Sequence, residues 1–149
     1  MAGTSLAKTS AGTTLSIASG TIFPATYDLP GFGALTYVPI AEITDLGEFG
    51  KKFNLVKHNP LGNRTTFKRK GSYDNGAMAI KMAKAFTDAG QSALLAARDS
   101  DNSYAYKVTY QDGTYNYFSA QCMSVTIMIS TVDTITGSNV SLEVDGDVL

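Results

Sequence analysis

The stretch from Ser103 to Met128, SYAYKVTYQDGTYNYFSAQCMSVTIM, limits what this chain can fold into more than any other. Tyr104, Tyr106, Val108 and Tyr110 alternate with Ala105, Lys107, Thr109 and Gln111, a period of two built on aromatic and β-branched residues. Asp112-Gly113 predicts a tight primed turn, and Tyr115, Tyr117, Phe118, Val125 and Ile127 carry the chain back along a second arm. That arm runs for about fifteen residues where five or six is usual, which predicts a bend or a span over more than one sheet.

Around this hairpin the chain reads as mainly β. Gly76 to Phe86 follows the turn signal Asn75-Gly76, and Met78, Ile80 and Met82 alternate with Ala77, Ala79 and Lys81, so it is a predicted strand despite its helix-favouring composition. The single predicted helix starts at Thr87 or Asp88, with Gln91 placed for a capping box and Ala89, Ala93, Leu94 and Ala97 as its apolar stripe. It ends at Asp99-Ser100-Asp101-Asn102, and its length of about 16 Å suits it to covering one opening of a small β-structure. Leu35 to Ile43 is a predicted strand interrupted by Pro39, hence an edge or a bulge. Pro24, Asp28, Pro30, Gly31 and Gly33 mark a turn-rich connection before it, and Val140, Leu142 and Val144 face inward from a closing strand.

Two segments stand apart. Residues 1–21 are Gly, Ser, Thr and Ala with Leu6, Leu15 and Ile17 as the only anchors, and read as a flexible arm in which Thr13–Ile17 becomes a strand if an edge is offered. Residues 47–72 show no sustained period and read as a long extended loop, a length that in compact domains points to function or disorder. This loop holds seven of the twelve basic residues, Lys51, Lys52, Lys57, Arg64, Lys68, Arg69 and Lys70. With Phe53, Leu55 and Phe67 they form the candidate subunit interface. DNA contact is the competing reading, but the chain as a whole carries −1 and no nucleic-acid motif surrounds the segment.

The 149 residues are 44% hydrophobic and fit one domain, residues 22–149, behind the arm. No apolar run approaches the eighteen or so residues of a membrane span, and the chain reads as cytosolic. Cys122 is alone, which excludes a disulfide framework and suits a plain buried strand position. His58, the one histidine, cannot build an ordinary zinc site, and no nucleophile elbow, Walker or dinucleotide pattern occurs. The reading is therefore not an enzyme, with no cofactor, no metal and no membrane insertion. The eight tyrosines fit cross-strand pairs, with a stacking platform for sugars as the rival.

Gly12-Thr13-Thr14-Leu15, then Tyr27-Asp28, Gly31-Phe32, Leu35-Thr36-Tyr37 and Ile40 to Asp45, then Gly90 to Leu95, Tyr106-Lys107-Val108 and Asp112-Gly113-Thr114 follow one another in an order that resembles the major tail tube protein of long-tailed bacteriophages. The resemblance covers nearly the whole chain through short pieces, none of them a catalytic signature. It implies a β-sandwich or open barrel flanked by one helix, similar to the tube proteins of contractile tails and of type VI secretion. It also implies rings of six copies whose strands join into an inner barrel, stacked around a tape-measure protein and later conducting double-stranded DNA. Its implied partners are further copies of itself and the tail terminator and tail-tip proteins; its place is the virion tail, after synthesis in the host cytoplasm. A secretion-tube or tail-completion ring and a monomeric carbohydrate-binding domain are the alternatives.

Overall fold

The computed structural model describes residues 5–149, so the first four residues of the expected arm lie outside the description. The hairpin read from the sequence is the spine of the fold. β7 (Tyr104–Thr109) pairs antiparallel with the first half of β8 (Tyr115–Met128), placing Tyr106 opposite Phe118 and Thr109 opposite Tyr115. The turn between them is not of the primed type. Gly113 N–H donates to Tyr110 O at 3.0 Å, Tyr110 N–H donates to Thr114 O at 2.7 Å, and of the turn residues Gly113 alone has a positive φ, of 91°. This is a three-residue loop with a left-handed glycine, and Asp112 serves it through its side chain, accepting from the Thr114 N–H at 3.0 Å and the Thr114 hydroxyl at 2.7 Å.

The second half of β8 turns to a different partner. From Ala120 to Met128 it pairs with β9 (Gly137–Val144), and a register slip between Cys122 and Ser124 leaves Met123 as a bulged residue, 59% exposed. The bend expected from the arm's length lies at this bulge, which shifts the inward phase from Phe118, Ala120 and Cys122 to Val125. β9 in turn pairs with β6 (Ala77–Ala83), whose Met78, Ile80 and Met82 are buried while Ala77, Ala79 and Lys81 are exposed, as the alternation predicts.

Part of the expected arm is core. β1 (Thr14–Ser19) lies between β7 and β2 (Thr36–Pro39), and its Leu15 and Ile17 are fully buried. Two anchors look too few in isolation; β7, far along the chain, supplies the edge that recruits them. The stretch read as one strand through Pro39 is two strands, β2 ending at Pro39 and β3 (Ile43–Asp45), and the order β2-β1-β7-β8-β9-β6-β3 puts them at opposite edges of one sheet. A flat sheet of that many strands would hold its edges about 29 Å apart, whereas the chain from Pro39 to Ile43 reaches at most about 14 Å. The sheet therefore curls into an open barrel. The crossing segment is tied to both sides, Ile40 N–H donating to Leu15 O at 2.9 Å and Ala83 N–H donating to Glu42 O at 2.9 Å, and the sharp passage places Glu42 in the left-handed region with φ of 64°.

α2 (Ala89–Asp99) sits over this seam. Asp88 is its N-cap, accepting through Oδ2 from Gln91 N–H at 3.0 Å and from Ala41 N–H at 3.1 Å. Gln91 does not complete a capping box. Its side chain is buried and bridges the barrel edges, donating through Nε2 to Ala41 O and Ala83 O at 3.0 and 2.9 Å and accepting at Oε1 from Ala85 N–H at 3.0 Å. Leu94 and Ala97 face the core, Ala93 is half-buried and Ala89 is exposed, so the apolar stripe is rotated from the expected one. At Gly90 a Cβ would collide with Pro39 O and Ile40 Cα, which is why the helix can come this close only with glycine there.

Two clusters flank the sheet. Inside the barrel, Leu15, Ile17, Tyr106, Val108, Phe118, Met78, Ile80 and Leu142 pack with Leu94 of the helix. Outside it, the turn-rich connection contains a short helix, α1 (Leu29–Gly33), capped by Asp28, which accepts from Gly31 N–H at 2.7 Å. Its Phe32 is fully buried against Ala18, Ala105 and Tyr117, with a ring stacked 5.5 Å from Tyr117. Burying that ring is worth about 1.5–3 kcal/mol.

Candidate subunit-contact surface

The segment 47–72, expected to lack structure of its own, is extended, but most of it pairs. β4 (Lys52–His58) and β5 (Phe67–Asp74) form a separate two-stranded antiparallel hairpin outside the barrel sheet. The sequence hid these strands for a physical reason. Every residue of β4 is exposed, and so is all of β5 except Gly71, so burial imposes no alternation of apolar and polar residues.

The candidate residues all gather on this hairpin or at its root. On one face Phe53 lies opposite Tyr73, Leu55 opposite Lys70 and Lys57 opposite Lys68; on the other Lys52 lies opposite Asp74, Val56 opposite Arg69 and His58 opposite Phe67. Arg64 is in the turn between the strands, and Lys51 precedes β4 with its Nζ 4.2 Å above the Tyr73 ring. Phe53 is tilted against Tyr73 at 5.2 Å and has Lys70 Nζ 4.9 Å above it. An isolated two-stranded hairpin is marginal in water, and like charges opposite one another, as at Lys57 and Lys68, weaken it further. Leu55 and Val56 are nonetheless 59% and 51% exposed. A hairpin of this composition is suited to a partner surface that supplies negative charge and apolar cover.

The charge is unevenly divided along the chain. Residues 51–74 hold seven of the twelve Lys and Arg but one of the thirteen Asp and Glu, giving +6 for the segment and leaving −7 on the rest of the chain. The body of a second copy is therefore electrostatically complementary to the hairpin.

No protein-family model matches the sequence, and no curated protein matches it. Among solved structures the chain is similar to one from the cryo-EM structure of the anti-feeding prophage (AFP) baseplate, 6-fold symmetrised, with a TM-score of 0.64 and 6% identity over 100% of this chain and 96% of that one. It is also similar to a chain from the cryo-EM structure of an extracellular contractile injection system, the PVC sheath/tube terminator in its extended state, with a TM-score of 0.66 and 10% identity over 99% and 98% of the two chains. This chain shares their fold. At such identities the likeness is one of backbone architecture alone.

A second projecting surface was not among the candidate residues. β7 stops opposite Ala120, so among the described residues no strand pairs with that edge of β8 from Gln121 to Met128. Beyond the Met123 bulge, Ile127, Met128, Ile129, Val132 and Ile135 are 52–100% exposed, and Asp133 is the one charge between Met123 and Thr136. The run Val125 to Ile129 reads as core by composition; the signal that it leaves the core was the excess length of the arm.

Burial pushes the Cys122 thiol up to about 11, the unreactive direction, and among the described residues no group of three or more His, Cys, Asp or Glu is placed to hold a metal. The tyrosines divide between surfaces: Tyr37 and Tyr115 lie against the buried Tyr117 in the outer cluster, with Tyr27 against its Phe32, whereas Tyr106 is inside the barrel and Tyr73 belongs to the basic hairpin.

Proposed function

We propose that this chain is a structural, non-catalytic subunit of a phage-like tail, assembling with copies of itself into a ring, six-membered as in the tube family it resembles, that stacks into a hollow tube. One observation carries the reading: among the described residues the β4–β5 hairpin and the far ends of β8 and β9 are exposed beyond the barrel core, the first basic and the second apolar, on a body of opposite charge to the basic one. The unpaired edge of β8 from Gln121 to Met128 matches the length of the 8-residue β5, whose outer edge is also free. Joining the two between neighbouring copies satisfies both ladders, and a ring that closes leaves no edge exposed. The fold shared with tail-machine components supports the reading. In such a tube the tape-measure protein occupies the lumen before double-stranded DNA passes, and terminator and tip proteins bound the stack within the virion tail.

The second reading is a single ring that ends a tube, favoured by the two solved neighbours, which come from a baseplate and a sheath/tube terminator. Negative-stain microscopy and sedimentation of the purified chain separate the readings: stacked rings support the tube, isolated rings the terminal role, and a protein that stays monomeric at high concentration overturns both. Replacing residues 52–72 by a Gly-Ser linker should leave a folded subunit that no longer forms long tubes. Tubes of parental stability from that variant would remove the hairpin from the contact, and loss of DNA binding with intact tubes would reassign its basic groups to the channel.

A further inference from the structure

The basic hairpin is joined to the barrel by few polar ties, and these converge on the last residues of the chain. Tyr73 Oη donates to Asp147 Oδ1 at 2.9 Å, and Lys51 Nζ lies 3.9 Å from the same oxygen. Apart from Asp74, whose Oδ1 accepts from Gly76 N–H at 2.9 Å where the hairpin runs into β6, no other side chain from Lys51 to Asp74 makes a hydrogen bond or ion pair outside the hairpin among the described residues. Asp147 itself is firmly held. Its carbonyl accepts from Tyr27 Oη at 2.7 Å, and the next two residues pack in opposite directions, Val148 against the inner core and Leu149 against the outer cluster. Leu149 also exchanges two backbone hydrogen bonds with Tyr117, at 3.1 and 2.8 Å, and accepts from Asn116 Nδ2 at 2.9 Å. Asn75, at the root of the hairpin, donates through Nδ2 to Gly146 O.

We infer that residues 145–149 are a strap whose Asp147 latches the hairpin in one pose on the barrel. The inference rests on the hairpin being the subunit contact proposed above, and adds how that contact is regulated: the latch orders it before a second copy arrives. A surface ordered in advance loses less freedom on association than one that swings. The carboxylate also acts on the phenol, its hydrogen bond raising the Tyr73 pKa above the ordinary tyrosine range and so keeping the donor proton in place.

Two variants isolate the latch. Asp147→Ala removes the acceptor of both Tyr73 and Lys51, and Tyr73→Phe removes the hydroxyl alone while keeping the ring beside Phe53. Asp133→Ala, on the other projection, is the control. In the dispersed subunit, hydrogen exchange over residues 52–58 and 67–74 should quicken about fivefold in both latch variants, a charge-assisted bond discounted for its half-exposed setting, with β6 and α2 unchanged. Parental exchange in either variant, or equal quickening by Asp133→Ala, overturns the latch. Asp147→Ala should also raise the concentration at which rings form by about the same factor; a loosened hairpin with an unchanged threshold overturns its role in ordering the contact. A parental protein that forms no rings sinks the proposed function alone, because the exchange measurement still reads the latch.

Discussion

Gln91 gives the sharpest test of how the barrel is closed. As a capping-box residue its side chain would be exposed at a helix end, and its loss would cost well under about 1 kcal/mol. In the structure it is 8% exposed and satisfies three backbone groups on both sides of the seam, Ala41 O, Ala83 O and Ala85 N–H. At about 1 kcal/mol net for each, Gln91→Met should cost about 3 kcal/mol, since methionine refills the space and leaves all three groups unpaired. For a chain of this size that lowers Tm by about 6–12 °C. Urea unfolding followed by circular dichroism measures it, with Ser92→Ala, one residue on and exposed, as the control expected to cost less than about 0.5 kcal/mol. A Gln91→Met loss below about 1 kcal/mol would refute the seam argument and restore the helix-end role.

Leu94→Asp should place an unpaired charge where 1% of the side chain meets solvent, costing several kcal/mol and yielding insoluble or unfolded protein; a parental Tm would show that the helix faces another way. Stability should also fall in alkali. Burial raises the Tyr106 and Tyr37 phenols above the usual range and moves the Cys122 thiol from 9.0 to about 11. These acids keep protons in the fold that the unfolded chain releases, so their contribution is complete below about pH 9 and is lost as pH rises through about 11. Melts across that window should show a continuous fall in Tm, and a flat profile would contradict the burial.

What could be read from the sequence was whatever burial writes into local alternation. β6 and β9 show one buried face each, β7 and β8 keep a period of two in residue type although both of their faces carry buried residues, and Asp88 marks the helix start because a cap acts within a single turn. Pro39 correctly marked an edge, but not that the chain then crosses to the opposite edge, since only the register of distant strands shows it. β1 was legible only as a strand conditional on an edge, because its pairing partner β7 is remote, and β4 and β5 were hidden because neither of their faces is buried. The candidate residues were singled out mainly through charge, which needs no fold to be counted, and the structure gathers them on one hairpin. Their latch was not, because Asp147, Tyr73 and Tyr27 meet only once the strap lies across the barrel.

The strand order bears on how the protein is made. β1 leaves the ribosome first, yet one of its two neighbours, β7, is translated about ninety residues later, a wait on the order of ten seconds at ordinary elongation rates. During that interval Leu15 and Ile17 have no barrel to enter, and the Gly, Ser and Thr around them keep the waiting segment soluble. The apolar projection at the end of β8 is synthesised later still, and β9, which pairs with it, after that. If the proposed contact joins the basic hairpin to that projection, a nascent chain would carry the hairpin before the surface that it joins, and polymerisation would wait for subunits that have both.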